Sequence, residues 1–284
     1  MYLVKITIFD PMYKIDISVI ISTYNSPAWL EKVLWSFNQQ TFKNFEVVIA
    51  DDGSSSETKL LIDAIGKEVS YPIQHIWHED NGFQKTIILN KAKVASKGDY
   101  LVYTDGDCIS RADFLQVHAN YRAEGYFLSG GYFKLPMSIS QLISKEDIES
   151  QQCFDIDWLK THGLKSSFKN NKITAKGLKE KLLNKLTPTT ATWNGHNSSG
   201  YKKDIIDANG YDERMQYGGE DRELGERLFN SGIKAKQIRY SAICLHLDHA
   251  RGYVKPEMIK KNLNIRTVTK RDKVTKTPYG IKKL

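Results

Sequence analysis

Leu101-Val102-Tyr103-Thr104-Asp105-Gly106-Asp107 is a short apolar run that ends in two carboxylates separated by one glycine. The apolar residues read as a buried strand. In an open α/β sheet the carboxyl ends of parallel strands open into the ligand crevice, so both acids fall where a ligand would sit. Two carboxylates this close repel each other. A divalent cation relieves that repulsion, and oxygen ligands suit Mg²⁺ or Mn²⁺. Gly106 lets the backbone come close to a ligand. The same residues also fit a solvated turn, because Asp-Gly is a common turn pair. The rest of the chain decides between the two.

Working outward, residues 15–107 alternate strand and helix. Ile15 to Ser22 is an apolar run rich in β-branched residues, as in a buried parallel strand. Ser26 and Pro27 suit an N-cap and first helical position, and Leu30, Val33, Leu34 and Phe37 follow at helical spacing. Phe45 to Ala50 is a second strand, closed by Asp51-Asp52-Gly53-Ser54. Leu60, Leu61, Ala64 and Ile65 mark the apolar face of the next helix. Ile73 to Trp77 is a third strand, Gln84 to Ser96 a helix, and Tyr100 to Thr104 a fourth strand. This alternation predicts a parallel sheet covered by helices. Neither a GxGxxG nor a Walker A fingerprint is present, so a nucleotide bound here would be held by acidic and aromatic loops.

The pattern loosens after Asp107. Phe114 to Ala123 reads as helix, and Phe127 to Phe133 as a strand interrupted by Gly130-Gly131. Residues 137–187 are polar, lysine-rich and helical, with long loops. Trp193, Asn194, His196, Asn197 and Tyr201 fall in a Gly/Asn/Ser-rich stretch that reads as a binding loop, a structural turn being the other reading. Glu220 opens a helix, and Ile243 to Leu247 is a last strand. At the other end, Tyr2, Val4, Ile6 and Ile8 alternate with other residues as in a strand, which argues against a signal peptide.

The 284 residues carry a net charge of +8, which favours anionic partners. No basic-aromatic nucleic-acid module is present, so nucleic acid is not an expected partner. The three cysteines are far apart and odd in number, as in a reduced cytosolic protein. No run of eighteen apolar residues occurs, so no membrane span is expected. From Lys165 to Lys185 there are seven lysines and one acid, Glu180, with Leu178, Leu182, Leu183 and Leu186 at helical spacing. Two readings stand: an amphipathic helix on an anionic membrane surface, or a solvated face with leucines packed inward. The chain from residue 251 to 284 reads as a basic tail.

Acidic or histidine clusters punctuate the element ends: Asp51/Asp52, Asp105/Asp107, Glu220/Asp221 and His246-Leu247-Asp248-His249. Two histidines three apart would not normally share a face, so by spacing alone one would be core and one surface. Glu220 and Asp221 could equally cap a helix, with Glu223 completing a capping box.

Ser22-Thr23-Tyr24-Asn25, Val47-Val48-Ile49-Ala50-Asp51-Asp52-Gly53-Ser54 and Thr104-Asp105-Gly106-Asp107 together resemble the family-two glycosyltransferases of the GT-A fold. Asn209-Gly210-Tyr211-Asp212-Glu213, followed by Tyr217-Gly218-Gly219-Glu220-Asp221-Arg222-Glu223, resembles the acceptor-side motif of β-1,4-galactosyltransferases and chondroitin-polymerase-type enzymes. The fold implied is α/β: a Rossmann-like nucleotide-binding half, 15–107, fused to an acceptor-binding half, 108–250, on a mixed central sheet flanked by helices, all in one domain spanning 1–250.

The resemblance implies roles for single residues. Ser22 and Tyr24 match contacts to the nucleotide base, and Asp52 the acid that meets the uracil ring. Asp105 matches the acid near the ribose, Lys85 a basic residue near the diphosphate, and Asp107 a metal ligand. His246 and His249 match a metal-binding pair, His249 the better because Ala250 and Arg251 follow it. Histidine ligands favour Mn²⁺ over Mg²⁺. Asp221 matches the catalytic base of inverting enzymes, and at a helix start its pKa is expected to be lowered. Glu220 matches an acceptor-contacting acid, and Trp193 and Asn197, read above in a binding loop, are the further candidates for meeting an acceptor sugar. The implied activity is metal-dependent, inverting transfer from a UDP-sugar to a hydroxyl of a glycan or lipid-linked glycan. The implied setting is bacterial surface polysaccharide or lipopolysaccharide synthesis, in the cytoplasm or at the cytoplasmic membrane face. A nucleotidyltransferase acting on a sugar phosphate, or a non-catalytic sugar-binding module, are the alternatives. The first lacks a glycine-rich basic phosphate loop, and the second gives no reason for Asp221.

Overall fold

The computed structural model describes residues 14–250 and 254–283. The strand expected over residues 2–8, and Arg251, lie outside them. β1 (Ile17–Thr23), α1 (Pro27–Asn38), β2 (Phe45–Asp51), α2 (Ser56–Ile65), β3 (Ile73–Trp77), α3 (Lys85–Ala95) and β4 (Tyr100–Asp105) alternate as the apolar runs predict. β1 and β2 are buried along nearly their whole length, because apolar clusters pack on both faces of the sheet. Their order is β3-β2-β1-β4, with every pair parallel. The chain therefore reverses its direction of growth at β1. The crevice between the carboxyl ends of β1 and β4 is the topological switch point. Register sets Ser22 beside Asp105, and Thr23 beside Asp51.

β5 (Cys108–Ser110), α4 (Phe114–Tyr121), β6 (Tyr126–Ser129) and β7 (Phe133–Lys134) follow. A helical excursion comes next: α5 (Met137–Leu142), α6 (Lys145–Glu149), α7 (Ile156–Thr161), α8 (Asn171–Thr174) and α9 (Gly177–Leu186). The chain returns through β8 (Ser198–Tyr201), α10 (Lys202–Asp207), α11 (Glu220–Asn230), β9 (Lys234–Gln237), β10 (Cys244–His246) and α12 (Pro256–Arg271). β8, β6 and β9 extend the main sheet beyond β4, with β8 antiparallel to both neighbours. A small second sheet, β5-β10-β7, lies at the crevice end. Its register pairs His246 with Cys108, which carries a distant histidine to the residue after Asp107.

Several local expectations change. The stretch read as a binding loop contains β8, a strand inside the main sheet. It escapes a hydrophobic pattern because its small polar side chains pair internally: Ser199 Oγ lies 2.9 Å from the Tyr100 hydroxyl and 2.7 Å from His118 Nδ1. On α2 the buried residues are Thr58, Ile62 and Ile65, whereas Leu60 is exposed. Ser26 takes the N-cap position of α1 without a side-chain cap bond. Gly106 comes close to the β1 backbone: its N–H donates to the Ser22 carbonyl at 2.8 Å, and a Cβ there would meet that oxygen at 3.0 Å.

The described part of the expected tail is folded onto the domain. α12 packs along α11, and Asn262 Nδ2 donates to the Gln216 and Gly218 carbonyls at 2.8 and 3.1 Å. Thr269 Oγ1 donates to Glu223 at 2.8 Å. Residues 254–283 thus brace the loop that leads into α11.

Candidate active site

The first wall of the crevice is made by the ends of β1, β2 and β3. Ser22 Oγ donates to Asp105 Oδ1 at 2.7 Å, across the β1–β4 register. Asp52 accepts from the Gln84 N–H at 3.0 Å and from His78 Nε2 at 2.9 Å. Lys91 donates to His78 Nδ1 at 3.3 Å, which leaves the imidazole proton on Nε2. Tyr24 is 47% exposed, with its hydroxyl donating to Asp80 at 2.9 Å, so a ring face remains open for stacking. Asp51 is wholly buried and closes the turn by accepting from the Ser54 N–H at 2.8 Å. Gly53 is required there: its φ is +92°, and a Cβ would lie 2.5 Å from the Asp80 Cα.

Asp107 faces both histidines. His249 Nε2 lies 3.0 Å and His246 Nε2 3.7 Å from Asp107 Oδ2. The chain turns after β10 so that the two rings stack, with centroids 5.4 Å apart; the face separation expected from their spacing does not occur. His246 Nδ1 sits 2.7 Å from the Leu247 carbonyl and His249 Nδ1 2.9 Å from the Ala250 carbonyl. A carbonyl only accepts, so each Nδ1 carries a proton and donates it. With Nδ1 so engaged, both Nε2 atoms face the Asp107 carboxylate, a set of donor atoms that fits a divalent cation. One carboxylate with two imidazoles suits Mn²⁺. Cys108 Sγ is also near, within 4.8 Å of the Asp107 and His246 ligand atoms, and burial raises its thiol well above the usual range.

The opposite wall is the start of α11. Glu220 and Asp221 occupy its first turn behind Gly219, which is the N-cap with φ +94°. No capping box forms, because Glu223 instead pairs with buried Arg227 at 2.7 Å. Asp221 accepts from the Tyr211 hydroxyl at 3.2 Å and from the Gly195 N–H. Burial raises the Asp221 pKa, with Lys85 opposing and Asp105 adding to the rise. The lowering expected from the helix dipole is therefore overturned by desolvation. Burial, with Asp221 next, raises Glu220 to about 7.

Lys85 connects the two walls. Its Nζ donates to Asp105 Oδ1 at 2.8 Å. Burial opposes its charge, but Asp105, Asp221 and Glu220 together outweigh burial and raise its pKa. Asp105 is likewise held ionised by Lys85 and the Ser22 hydroxyl against the cost of its burial.

A cleft of about 1160 Å³ opens beside these groups and is lined by Glu220 and Asp221, among others. Two residues expected to contact a ligand there do not present side chains to it. Trp193 has no exposure; it packs on Tyr103 and Phe127 and donates to the Tyr211 hydroxyl at 3.1 Å. Asn197 has none either, donating to the Gly131 and Ala242 carbonyls at 2.8 and 3.0 Å. Both shape the wall from behind. Tyr201 packs on Tyr100, at the far end of the sheet from the acids.

His196 does line the cleft, edge-on to Tyr132, and burial lowers its pKa to about 4, so it is neutral. Sequence reasoning missed His78 and Asp80, although both follow β3 and the strand-end rule that selected Asp52 would have found them. It also missed Tyr211 as the partner of Asp221, and nothing in the spacing marks that contact.

Comparison with known proteins bears on the family and the fold. Residues 18–136 match the profile described as glycosyl transferase family 2, and residues 185–250 that described as the N-terminal domain of galactosyltransferase. The chain is 25% identical over 278 residues to the uncharacterized glycosyltransferase YfnE of Bacillus subtilis (strain 168), covering 87% of this chain and 68% of the relative. It is 28% identical over 243 residues to the hyaluronan synthase of Pasteurella multocida, covering 79% of this chain but only 24% of that protein. Among solved structures, GalNAc-T7 with UDP, GalNAc and Mn²⁺ is similar in fold, with a TM-score of 0.60 at 14% identity. That match covers 90% of this chain and 48% of the GalNAc-T7 chain.

Proposed function

The chain belongs to glycosyl transferase family 2, and from that premise we propose that it transfers a sugar from a UDP-sugar to an acceptor glycan hydroxyl with inversion. Residues 15–107 form the nucleotide half and 108–250 the acceptor half. Tyr24 stacks on the uracil, which Asp52 meets at its edge, while Ser22 orients Asp105 toward the ribose. Lys85 lies next to the diphosphate. Asp107, His246 and His249 are the residues that would hold Mn²⁺. When bound, the cation supplies charge stabilisation for the departing diphosphate, a contribution of roughly several kcal/mol.

The observation that carries this reading is Asp221. It is a carboxylate at the start of α11, facing the cleft and joined electrostatically through Lys85 to the strand-end acid Asp105. Its raised pKa makes it a better base near neutral pH than an ordinary carboxylate. In the proposed step the acceptor oxygen forms a bond to the anomeric carbon as its proton passes to Asp221. The bond from that carbon to the diphosphate oxygen breaks, and UDP leaves with the electron pair. No acid is needed for a leaving diphosphate, unlike the leaving alcohol in glycoside hydrolysis. Tyr211 and the Gly195 N–H fix the orientation of the base. Glu220, whose side chain is tied to the Gly218 N–H at 2.8 Å, contacts the acceptor.

The acceptor we favour is a glycan or lipid-linked glycan of a bacterial surface polymer, reached from the cytoplasmic membrane face. Leu178, Leu182 and Leu186 on α9 are 85%, 55% and 65% exposed, which supports the membrane-surface reading over inward-packed leucines. No helix among the described residues is long and apolar enough to cross a membrane.

Asp221→Asn tests the reading. It keeps the shape and loses the base, so transfer should fall by at least about 10²-fold while UDP affinity, read by calorimetry, stays within a few-fold. Transfer at near wild-type rate would remove Asp221 as the base.

A further inference from the structure

The cleft carries cations that the proposed step does not use. Lys172, on α8, donates to the Tyr132 carbonyl at 2.7 Å, and Arg239, in the turn after β9, lines the same wall. Lys165 and Lys169 line it as well and are exposed. Among the described residues neither Lys172 nor Arg239 makes an ion pair. The Arg239 Nε is buried without a hydrogen-bond partner. Burial, with the Arg239 charge next, lowers Lys172 to about 8, and both residues line the same cleft.

The acids that line the cleft are otherwise engaged. Asp248 pairs with Lys134 at 3.0 Å, Glu220 accepts from Gly218, and Asp221 from Tyr211. A buried guanidinium donor left unsatisfied is costly unless a ligand supplies the acceptor. A guanidinium beside an ammonium is the arrangement that takes a carboxylate or phosphoryl group. The cleft is thus uneven in charge, with Glu220 and Asp221 beside Arg222 on the α11 side, and Lys172 and Arg239 on the α8 and β9 side. A neutral glycan would gain little from that second side.

We infer that the acceptor is anionic: Lys172 and Arg239 bind a carboxylate or phosphoryl group of the acceptor while its reactive hydroxyl reaches Asp221. The identity of this ligand as an acceptor rests on the glycosyltransferase reading above. The two are separable by experiment.

Calorimetry on the full chain would compare a hyaluronan tetrasaccharide, which carries carboxylates, a glycerol phosphate trimer, which carries phosphodiesters, and neutral maltotetraose. UDP would be titrated in parallel. At least one anionic probe should bind wild type at least about tenfold more tightly than maltotetraose, the scale of one or two charge-assisted hydrogen bonds. The better of the two identifies carboxylate or phosphoryl as the group recognised. Arg239→Gln or Lys172→Gln should erase the preference, and Arg239→Lys should retain part of it. Melting midpoints report folding; should the Lys172 and Arg239 variants not fold, the exposed Lys165→Gln/Lys169→Gln pair should still reduce the preference. Three outcomes would overturn the inference: no anionic preference in wild type, a preference that survives Arg239→Gln and Lys172→Gln, or a loss of UDP affinity as large as the loss of oligosaccharide affinity. The last would assign the wall to the donor diphosphate. Release of UDP from UDP-sugars tests the parent reading by itself, so an anion preference without UDP release would sink that reading and leave the cationic wall standing.

Discussion

Glu220 and Asp221 are neighbours in sequence at the start of one helix, and burial raises the pKa of both. For Glu220 the folded value is about 7, against 4.5 ordinarily, so the folded chain holds a proton that the unfolded chain releases. Stability should therefore fall as pH rises from about 4.5 through about 7. Glu220→Gln should flatten this slope and gain up to about 3 kcal/mol over wild type at pH 8, as urea unfolding at pH 5 and pH 8 would show. Equal slopes in the two proteins would contradict the assignment. At the other wall, His249→Ala should weaken Mn²⁺ binding more than His246→Ala, because His249 stands closer to Asp107. Titration followed by the Mn²⁺ spin-resonance signal would show the order, and the reverse order would make His246 the principal ligand. Asp105, Asp107 and Asp52 were legible in the sequence because acids that end apolar runs have a single destination in a parallel sheet. The ionisation of Asp221 was not. Its charge depends on burial set against Lys85 and the Tyr211 and Gly195 hydrogen bonds, which no local pattern records.

The first four strands and three helices were legible because buried parallel strands are continuous apolar runs. β8 was not, since Ser198 and Ser199 hydrogen-bond to Asn194, Tyr100 and His118, and Gly200 packs closely on Trp193, instead of showing apolar alternation. Trp193 and Asn197 were misplaced for the same reason: an aromatic and an amide in a glycine-rich stretch look like a binding loop, and here they fill the core behind it. α9 is the converse case. Its leucines follow a helical spacing that usually points inward, yet none of its residues is buried. If α9 lies on a membrane, Leu178→Gln/Leu182→Gln should reduce flotation with anionic vesicles. Reversing Lys179 and Lys181 should cost about 1 kcal/mol per lysine in the same assay, an effect that salt also weakens. Flotation indifferent to both changes and to salt would make the exposed face an ordinary solvated one.

At the scale of the molecule, the site is assembled from three separate stretches of chain. The parallel half supplies Ser22, Asp52, Lys85 and Asp105. The small second sheet brings His246 and His249 to Asp107, and α12 braces the loop that starts α11. Only the first of these follows from local pattern; the other two depend on antiparallel pairing and helix packing over more than a hundred residues or from a segment that reads as a tail. The central claim is that this assembly handles a UDP-sugar through Asp107 and its histidines. The most direct test is release of UDP from a panel of UDP-sugars by the full chain, with Mn²⁺ and with chelator, for wild type and Asp107→Ala. At least one donor should release UDP only with Mn²⁺, and Asp107→Ala should abolish that release. The claim fails if no UDP-sugar is turned over under any of these conditions and UDP leaves the melting midpoint unchanged, or if release is indifferent to both metal and Asp107.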